Sequence, residues 1–288
     1  MNQNLKLRII TALVGVPIIL LCLIGLGIEG VAFFSWIISM GMLFEFCQMF
    51  FKLEDSRRKT FIALIAATFI HAFNYVFNSQ MSSSLLGLLP VYGFFILFLF
   101  MVPPLFNYQS KAALDTEAGI ELLHKHFNEL MALCFGMVYC VWFPLLLVSI
   151  REMTNGKHWV IFCLLIVWAS DTFAYFAGKL FGKHFLYPTI SPKKTWEGAI
   201  GGAIGALGVA GSYAHYFIPG PSLSVLFVII LTVNAASILG DLCESMIKRA
   251  SRVKDSGSIL PGHGGFLDRF DGVLFALPTL YGLLWLFG

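Results

Sequence analysis

Nine apolar runs of about 20 residues follow one another along the chain, near 9–27, 31–51, 61–78, 84–106, 130–150, 158–178, 199–218, 222–240 and 270–287. Runs of that length leave little choice of solvent. About 20 apolar residues wound as a helix match the hydrocarbon thickness of a bilayer, and a helix satisfies its own backbone groups where no water can. Only 12% of the residues are charged, roughly half the share of a soluble domain, so the chain has too little polar surface to cover itself. The expected fold is all-α: a polytopic integral membrane protein of about nine transmembrane helices. The glycine-rich seventh run and the ninth, which starts inside a polar stretch, give the weakest hydropathy signal.

Lys and Arg are retained on the cytoplasmic side of membrane proteins, and with nine spans their distribution is lopsided. Of 19, all but Arg151 and Lys157 fall with the N-terminus and on the loops that share its side. The N-terminus is therefore expected in the cytoplasm and the C-terminus outside. The net charge of +3 is a topology signal, and membrane attachment argues against a nucleic-acid partner. Two positive charges precede the first run and imitate a signal peptide, but the run is longer than a signal core and no convincing cleavage site follows, so it reads as a retained span. Two regions are expected: 1–128, with spans one to four and a cytoplasmic loop, and 129–288, with spans five to nine and the chemistry.

The six cysteines, Cys22, Cys47, Cys134, Cys140, Cys163 and Cys243, show no metal-binding spacing and read as buried small hydrophobes. Within 107–129, Leu114, Leu122 and Leu123 among acids and histidines favour a short surface helix; His124 and His126, two apart, cannot share a helix face. In the seventh run Gly198, Gly202 and Ala206, with Gly201 and Gly205, recur at four-residue spacing, which lets helices approach closely, within one chain or between two copies in a homodimer. Glu45, His71 and Asn74 lie inside spans and are read as interhelical hydrogen-bonding groups. Asp171, among Ser170, Thr172 and Tyr175, should face the bundle interior.

Charge concentrates in 241–271. Continued helically, Asp241, Glu244, Ser245, Lys248 and Arg252 share about 100° of helix surface. A glycine-rich turn follows, and Asp268 and Asp271 then lie three apart at the start of the last run. Two helices joined by such a hinge can aim Asp241 and Asp268 at one point, where acids repel unless a proton or cation intervenes. Magnesium, which binds through one or two carboxylates plus phosphates and water, is one candidate. The other reading is a helix-end ion-pair network with Lys248, Arg249, Arg252 and Arg269. Spacing alone leaves both open.

The run "SMIKRASRVKDSGSILPGHGGFLDRFD" (245–271) resembles the signature of the phosphatidate cytidylyltransferase, or CDP-diglyceride synthase, family. The matching positions are Ser245, Lys248, Arg249, Lys254, Asp255, Gly257, Leu260, Pro261, His263, Gly264, Gly265, Asp268, Arg269 and Asp271. "DTFAYFAGKLFGK" from 171 and "SPKKTWEG" (191–198) are similar to two further family segments. The resemblance implies that CTP and phosphatidic acid are the partners, with CDP-diacylglycerol and pyrophosphate as products, in phospholipid biosynthesis at a bacterial inner membrane. It implies magnesium, with potassium beside it. The metal set expected is Asp241, Asp268 and Asp271, which with Lys248 form the catalytic group. Substrate-binding residues expected are Ser191, Lys193, Lys194, Thr195, Arg249, Lys254, His263, Gly264, Gly265 and Arg269; His263 either faces the ligand or caps the turn. The competing class is an ion-coupled transporter or lipid-binding scaffold without nucleotide chemistry, which predicts no nucleotide dependence. "GKLFGKH" lacks the spacing and the Ser or Thr of a Walker loop.

Overall fold

The computed structural model describes residues 15, 17–19, 21–51, 53–80, 116–260 and 264–287. After a π-helical turn at Leu21–Gly25 come helices α1 (Gly27–Phe50), α2 (Leu53–Gln80) and α3 (Glu117–Met137). A second π-helical turn, Val138–Trp142, leads into α4 (Phe143–Glu152), followed by α5 (Gly156–Phe181). Strands β1 (Phe185–Tyr187) and β2 (Ser191–Thr195) then precede α6 (Trp196–Phe217), α7 (Leu223–Ala250) and α8 (Leu267–Phe287). Among the described residues six helical stretches are long and apolar enough to cross a membrane: Gly27–Phe50, Arg57–Val76, Gly119–Glu152, Gly156–Phe181, Leu223–Ala250 and Leu267–Phe287. The architecture is that of a helical integral membrane protein. Those six are the second, third, fifth, sixth, eighth and ninth expected runs. The fourth, 84–106, and part of the first lie outside the described residues. The seventh forms α6, whose glycines lower its hydropathy below that of the six.

Two local expectations change. Among the described residues the stretch before the fifth span forms no separate surface helix, because α3 starts at Glu117 and runs on into the span. Thr116 caps that start, its Oγ1 accepting from the Gly119 amide at 3.1 Å, and no proline interrupts the next 20 residues. The all-α expectation gains a short antiparallel hairpin. Gly182, Pro188 and Pro192 oppose helix in this stretch, while Phe185 and Tyr187 suit a strand. β1 and β2 pair Phe185 with Thr195 and Tyr187 with Ser191, and the register slips between these pairs.

The contacts divide the chain into two units, one of Met1–Ser35 with Phe143–Gly288, the other of Trp36–Trp142. In the second unit polar groups tie helices together, and His71 is one of those expected to do so. The His71 ring lies 3.0 Å from Ser39 Oγ, Trp36 Nε1 donates to Thr68 Oγ1 at 3.2 Å, and Lys59 pairs with Glu129 at 2.7 Å. Gly136 lets α3 lie against the Phe46 ring, which a Cβ would meet at 2.7 Å. Cys47 and Cys140 are fully buried there, and Cys22 and Cys163 are buried in the first unit.

In the first unit α5 and α6 make the most extensive helix contact, and glycine is the reason. Gly201 faces Ala177, Gly205 faces the Phe173 ring, and a Cβ at Gly202 would stand 2.9 Å from the Ser170 carbonyl oxygen. In lipid, where apolar side chains gain nothing by leaving their solvent, such close backbone approach drives helix association. The same device joins α7 to α8. A Cβ at Gly240 would lie 2.6 Å from the carbonyl oxygen of Asp271, and one at Gly272 would lie 2.6 Å from Ser237 Oγ.

Candidate active site

Where the α5–α6 contact reaches the hairpin, the helices and strands surround a cavity of about 430 Å³. α5 supplies Ser170, Asp171, Ala174, Tyr175, Gly178 and Lys179; the hairpin supplies Leu186, Lys193, Lys194 and Thr195. Gly198 and Ala199 of α6 and Ile238 and Asp241 of α7 complete it. Successive residues of a regular strand point to opposite faces. The slipped register of β2 explains how the consecutive Lys193 and Lys194 both line one cavity.

Thr195 is the N-cap of α6, its Oγ1 accepting from the Gly198 amide at 3.1 Å. It is buried and lines the cavity. Replacing Thr195 by Val removes the cap at nearly constant volume, and is expected to cost about 1 kcal/mol, read as a lowered unfolding midpoint in detergent. Glu197, in the first turn of α6, secures the hairpin's entry. Its carboxylate accepts from the amides of Lys183 (3.1 Å) and His184 (3.3 Å) and meets His184 Nδ1 at 2.6 Å. The His184 hydrogen bond foremost, then the backbone amides, holds the Glu197 carboxyl down at about 2.

Two clusters of charge follow. In the first, Lys194 pairs with Asp241 at 2.5 Å, and Ser245 Oγ sits 3.5 Å from Asp241 Oδ1. Asp271 lies within electrostatic reach of Asp241 and Asp171, brought there because Gly240 and Gly272, the chain neighbours of Asp241 and Asp271, are where α7 and α8 pack closely. Three carboxylates thus act on one another electrostatically, and Lys194 holds one of them. In the second, Lys248 lies between Glu244, 2.6 Å away and fully buried, and Asp268 Oδ1 at 2.7 Å. Asp268 Oδ2 accepts from the Ser256 amide (3.0 Å), Ser256 Oγ (2.9 Å) and the Gly265 amide (2.9 Å). Gly264, at φ 84°, carries the loop past this carboxylate, and a side chain there would crowd Asp268 Oδ2 at 3.0 Å.

The expected residues therefore sort into groups. Lys193, Lys194, Thr195 and Asp241 line the cavity, and Asp271 sits electrostatically beside Asp241. Asp268, Lys248, Gly264 and Gly265 form the loop-ordering cluster, in which Asp268 has Lys248 as its partner. Ser191 starts β2 outside the cavity lining. Arg249, Lys254 and Arg269 are exposed. His263 lies outside the described residues. Arg252 leaves the stripe on which helical continuation placed it. α7 stops at Ala250 because Val253 donates to the Lys248 carbonyl and Arg252 to that of Arg249, with Arg252 left-handed at φ 59°, a pattern that terminates helices.

Asp171 proves to be a cavity residue, joined by Tyr175 and Lys179, which the sequence reading did not assign. The signal was present: positions 171, 174, 175 and 178 are one helical stripe, and its polar members were the clue. Glu197 carried no comparable signal, since its partners Lys183 and His184 are set by the hairpin.

Among the described residues no group of three His, Cys, Asp or Glu side chains is arranged to hold an ion alone. The set still fits magnesium, which takes one or two carboxylates and completes its shell with phosphate oxygens and water. Three acids against one lysine is also a charge excess that a divalent cation would offset.

Long stretches of this sequence are shared with known proteins. Proteins named phosphatidate cytidylyltransferase from Staphylococcus saprophyticus and Staphylococcus aureus are 48% and 47% identical over 131 residues, 46% of this chain and 50% of each relative. One of the same name from Bacillus subtilis is 43% identical over 163 residues, 56% of this chain and 58% of the relative. The chain thus spans about half the length of the curated relatives it matches. The profile of the cytidylyltransferase family, by contrast, is met from residue 6 to residue 287, and across that span the chain belongs to the cytidylyltransferase family.

Proposed function

We propose that the chain transfers the CMP moiety of CTP to phosphatidic acid, releasing pyrophosphate and forming CDP-diacylglycerol. The observation that carries this reading is the cavity at the end of α5, where Lys193 and Lys194 stand opposite Asp171 and Asp241 at the boundary of a helix apolar enough to span a bilayer. A lipid reactant arrives through the membrane and a nucleotide from water. Such a boundary serves both. The lysine distribution supports a cytoplasmic mouth, an N-terminus inside, a C-terminus outside and nine spans, in the inner membrane of a bacterium.

In this reading a phosphate oxygen of phosphatidic acid attacks the α-phosphorus of CTP, and the bond from that phosphorus to the oxygen bridging to the β-phosphate breaks. The attacking monoester is largely ionised near pH 7, its second pKa being about 6, so the protein need supply little general base. Positioning and charge neutralisation dominate. Lys193 and Lys194 bind phosphate, and Lys194 does so by exchanging its hold on Asp241 for a phosphate oxygen. Thr195 donates its hydroxyl. Asp241 and Asp271, with Asp171 beside them, would hold magnesium, and Asp268 would join that set if Lys248 turned to a phosphate. When bound, the ion would neutralise the triphosphate and stabilise the leaving pyrophosphate; potassium would add to that neutralisation. Arg249, Lys254 and Arg269 add positive charge at the mouth. A homodimer would need a surface other than the α6 glycines that α5 occupies; Gly208, with nothing within 4 Å, is one open position.

The test is transfer of label from CTP into a chloroform-soluble product by purified protein. Product should require phosphatidic acid and a divalent cation, should vanish with chelator and should return with added magnesium. CTP should also raise the unfolding temperature. A protein that moves no label and is not protected by CTP would favour a transporter or scaffold.

A further inference from the structure

The β1–β2 hairpin carries a surface that neither the cavity nor the helix packing uses. Strand alternation sends Leu186 into the cavity lining and its neighbours Phe185 and Tyr187 to the other face, where they are 57% and 48% exposed. Phe181 at the end of α5 and Trp196 at the start of α6 add exposed rings on either side of the hairpin in sequence. Exposed apolar surface of this extent marks an interaction site. The position along the chain identifies the partner. β1 begins four residues after the candidate span Gly156–Phe181 ends, which puts the hairpin at the level where that helix leaves the hydrocarbon.

Composition points the same way. From Lys179 to Trp196 the chain has Lys179, Lys183, Lys193 and Lys194 and no Asp or Glu. Lys194 is held by Asp241, while Lys179, Lys183 and Lys193 are exposed. The next acid along the chain, Glu197, is engaged by His184 and two amides. Aromatic rings beside lysines whose stems lie along apolar surface are the make-up of a membrane–water interface, and lysines there attract anionic lipid.

We propose that the hairpin is seated in the headgroup layer of a bilayer containing anionic lipid. Phe185 and Tyr187 dip to the acyl boundary, and Lys183 and Lys193 hold lipid phosphates beside the cavity mouth. The inference rests on the proposed lipid substrate, for it makes the hairpin the platform from which a phosphate-bearing headgroup passes to Lys193, a residue both exposed and part of the cavity lining.

Two measurements decide it. In the first, full-length Tyr187→Trp is reconstituted into vesicles of phosphatidylcholine and phosphatidylglycerol brominated near the top of the acyl chains. Fluorescence quenching above that of the parent protein is expected, weaker when phosphatidylglycerol is left out. No added quenching by brominated lipid, with strong quenching by aqueous iodide, places the hairpin in water and overturns the proposal. So does efficient cross-linking of Tyr187→Cys to a second copy, which makes the surface a protein contact. In the second, the double variant Phe185→Ser, Tyr187→Ser is assayed with phosphatidic acid in vesicles. Its KM for lipid should rise about tenfold, with kcat and the KM for CTP unchanged, and no such rise for a soluble short-chain phosphatidic acid. An equal rise with the soluble substrate overturns the platform. If the parent protein transfers no CMP at all, the proposed function fails, and the quenching measurement still decides where the hairpin lies.

Discussion

Asp241→Asn is expected to lower CMP transfer by about 10²- to 10³-fold, the scale seen when one preorganised electrostatic contact to a transition state is lost, at nearly unchanged thermal stability. The substitution keeps size and hydrogen-bonding capacity, so Ser245 and Lys194 retain a partner. What disappears is the charge that would hold a cation against the triphosphate. Asp241 is partly exposed on the cavity wall, so neutralising it relieves repulsion with Asp171 and Asp271 and should not loosen the bundle. Asp271→Asn is expected to lose activity in the same way, with a higher magnesium requirement for the activity that remains. Asp268→Asn should behave differently. It weakens the Lys248 pair and the ties to Ser256 and Gly265, and hydrogen bonds to a charged group are worth roughly 1.5–3 kcal/mol each, so it should lower activity and unfolding temperature together. Turnover against magnesium concentration, with unfolding midpoints in the same detergent, separates these outcomes. Full turnover by Asp241→Asn would remove that residue from the chemistry.

Gly240→Val should damage stability and activity at once. A Cβ at 240 would stand 2.6 Å from the carbonyl oxygen of Asp271 and 3.1 Å from the Phe275 Cβ. Both lie on α8, and the first is backbone, which cannot rotate aside. Overpacking of a tight interface costs about 1–3 kcal/mol, and the relief available is for α7 and α8 to separate. Separation carries Asp241 away from Asp271, so activity should fall by more than the loss of folded protein explains. Gly208→Val on α6, where a side chain meets nothing within 4 Å, is the control and should leave both properties near those of the parent. Unfolding by denaturing detergent, followed by circular dichroism, and turnover per folded molecule are the measurements.

Much of this was legible in the chain, and for identifiable reasons. Hydropathy needs only composition over a 20-residue window, so runs such as 158–178 and 222–240 emerge as α5 and α7. The glycines at 201, 202 and 205 announced close packing by their period, and the structure supplies the partners Ala177, Ser170 and Phe173. Asp171 was marked as interior because an acid in an apolar helix needs a reason. Other features left weaker traces. The hairpin has three- and five-residue strands, too short for periodicity to show, and the continuity of α3 into the fifth span depends on the absence of a breaker.

What the amino-acid order determined by itself is where the chain meets lipid, which helices can touch closely and which short region holds the acids and bases. Which acid faces which base was decided only in three dimensions. Spacing left open whether Asp241 and Asp268 share a cation or pair with nearby bases; in the structure Lys194, 47 residues earlier in the sequence, takes Asp241, and Lys248 takes Asp268. The reason is physical. Periodicity fixes directions within a single helix, whereas a salt bridge between elements depends on how those elements cross; the α7–α8 crossing is set by glycine contacts at 240 and 272 whose partners lie on other helices, and Lys194 reaches Asp241 from the hairpin.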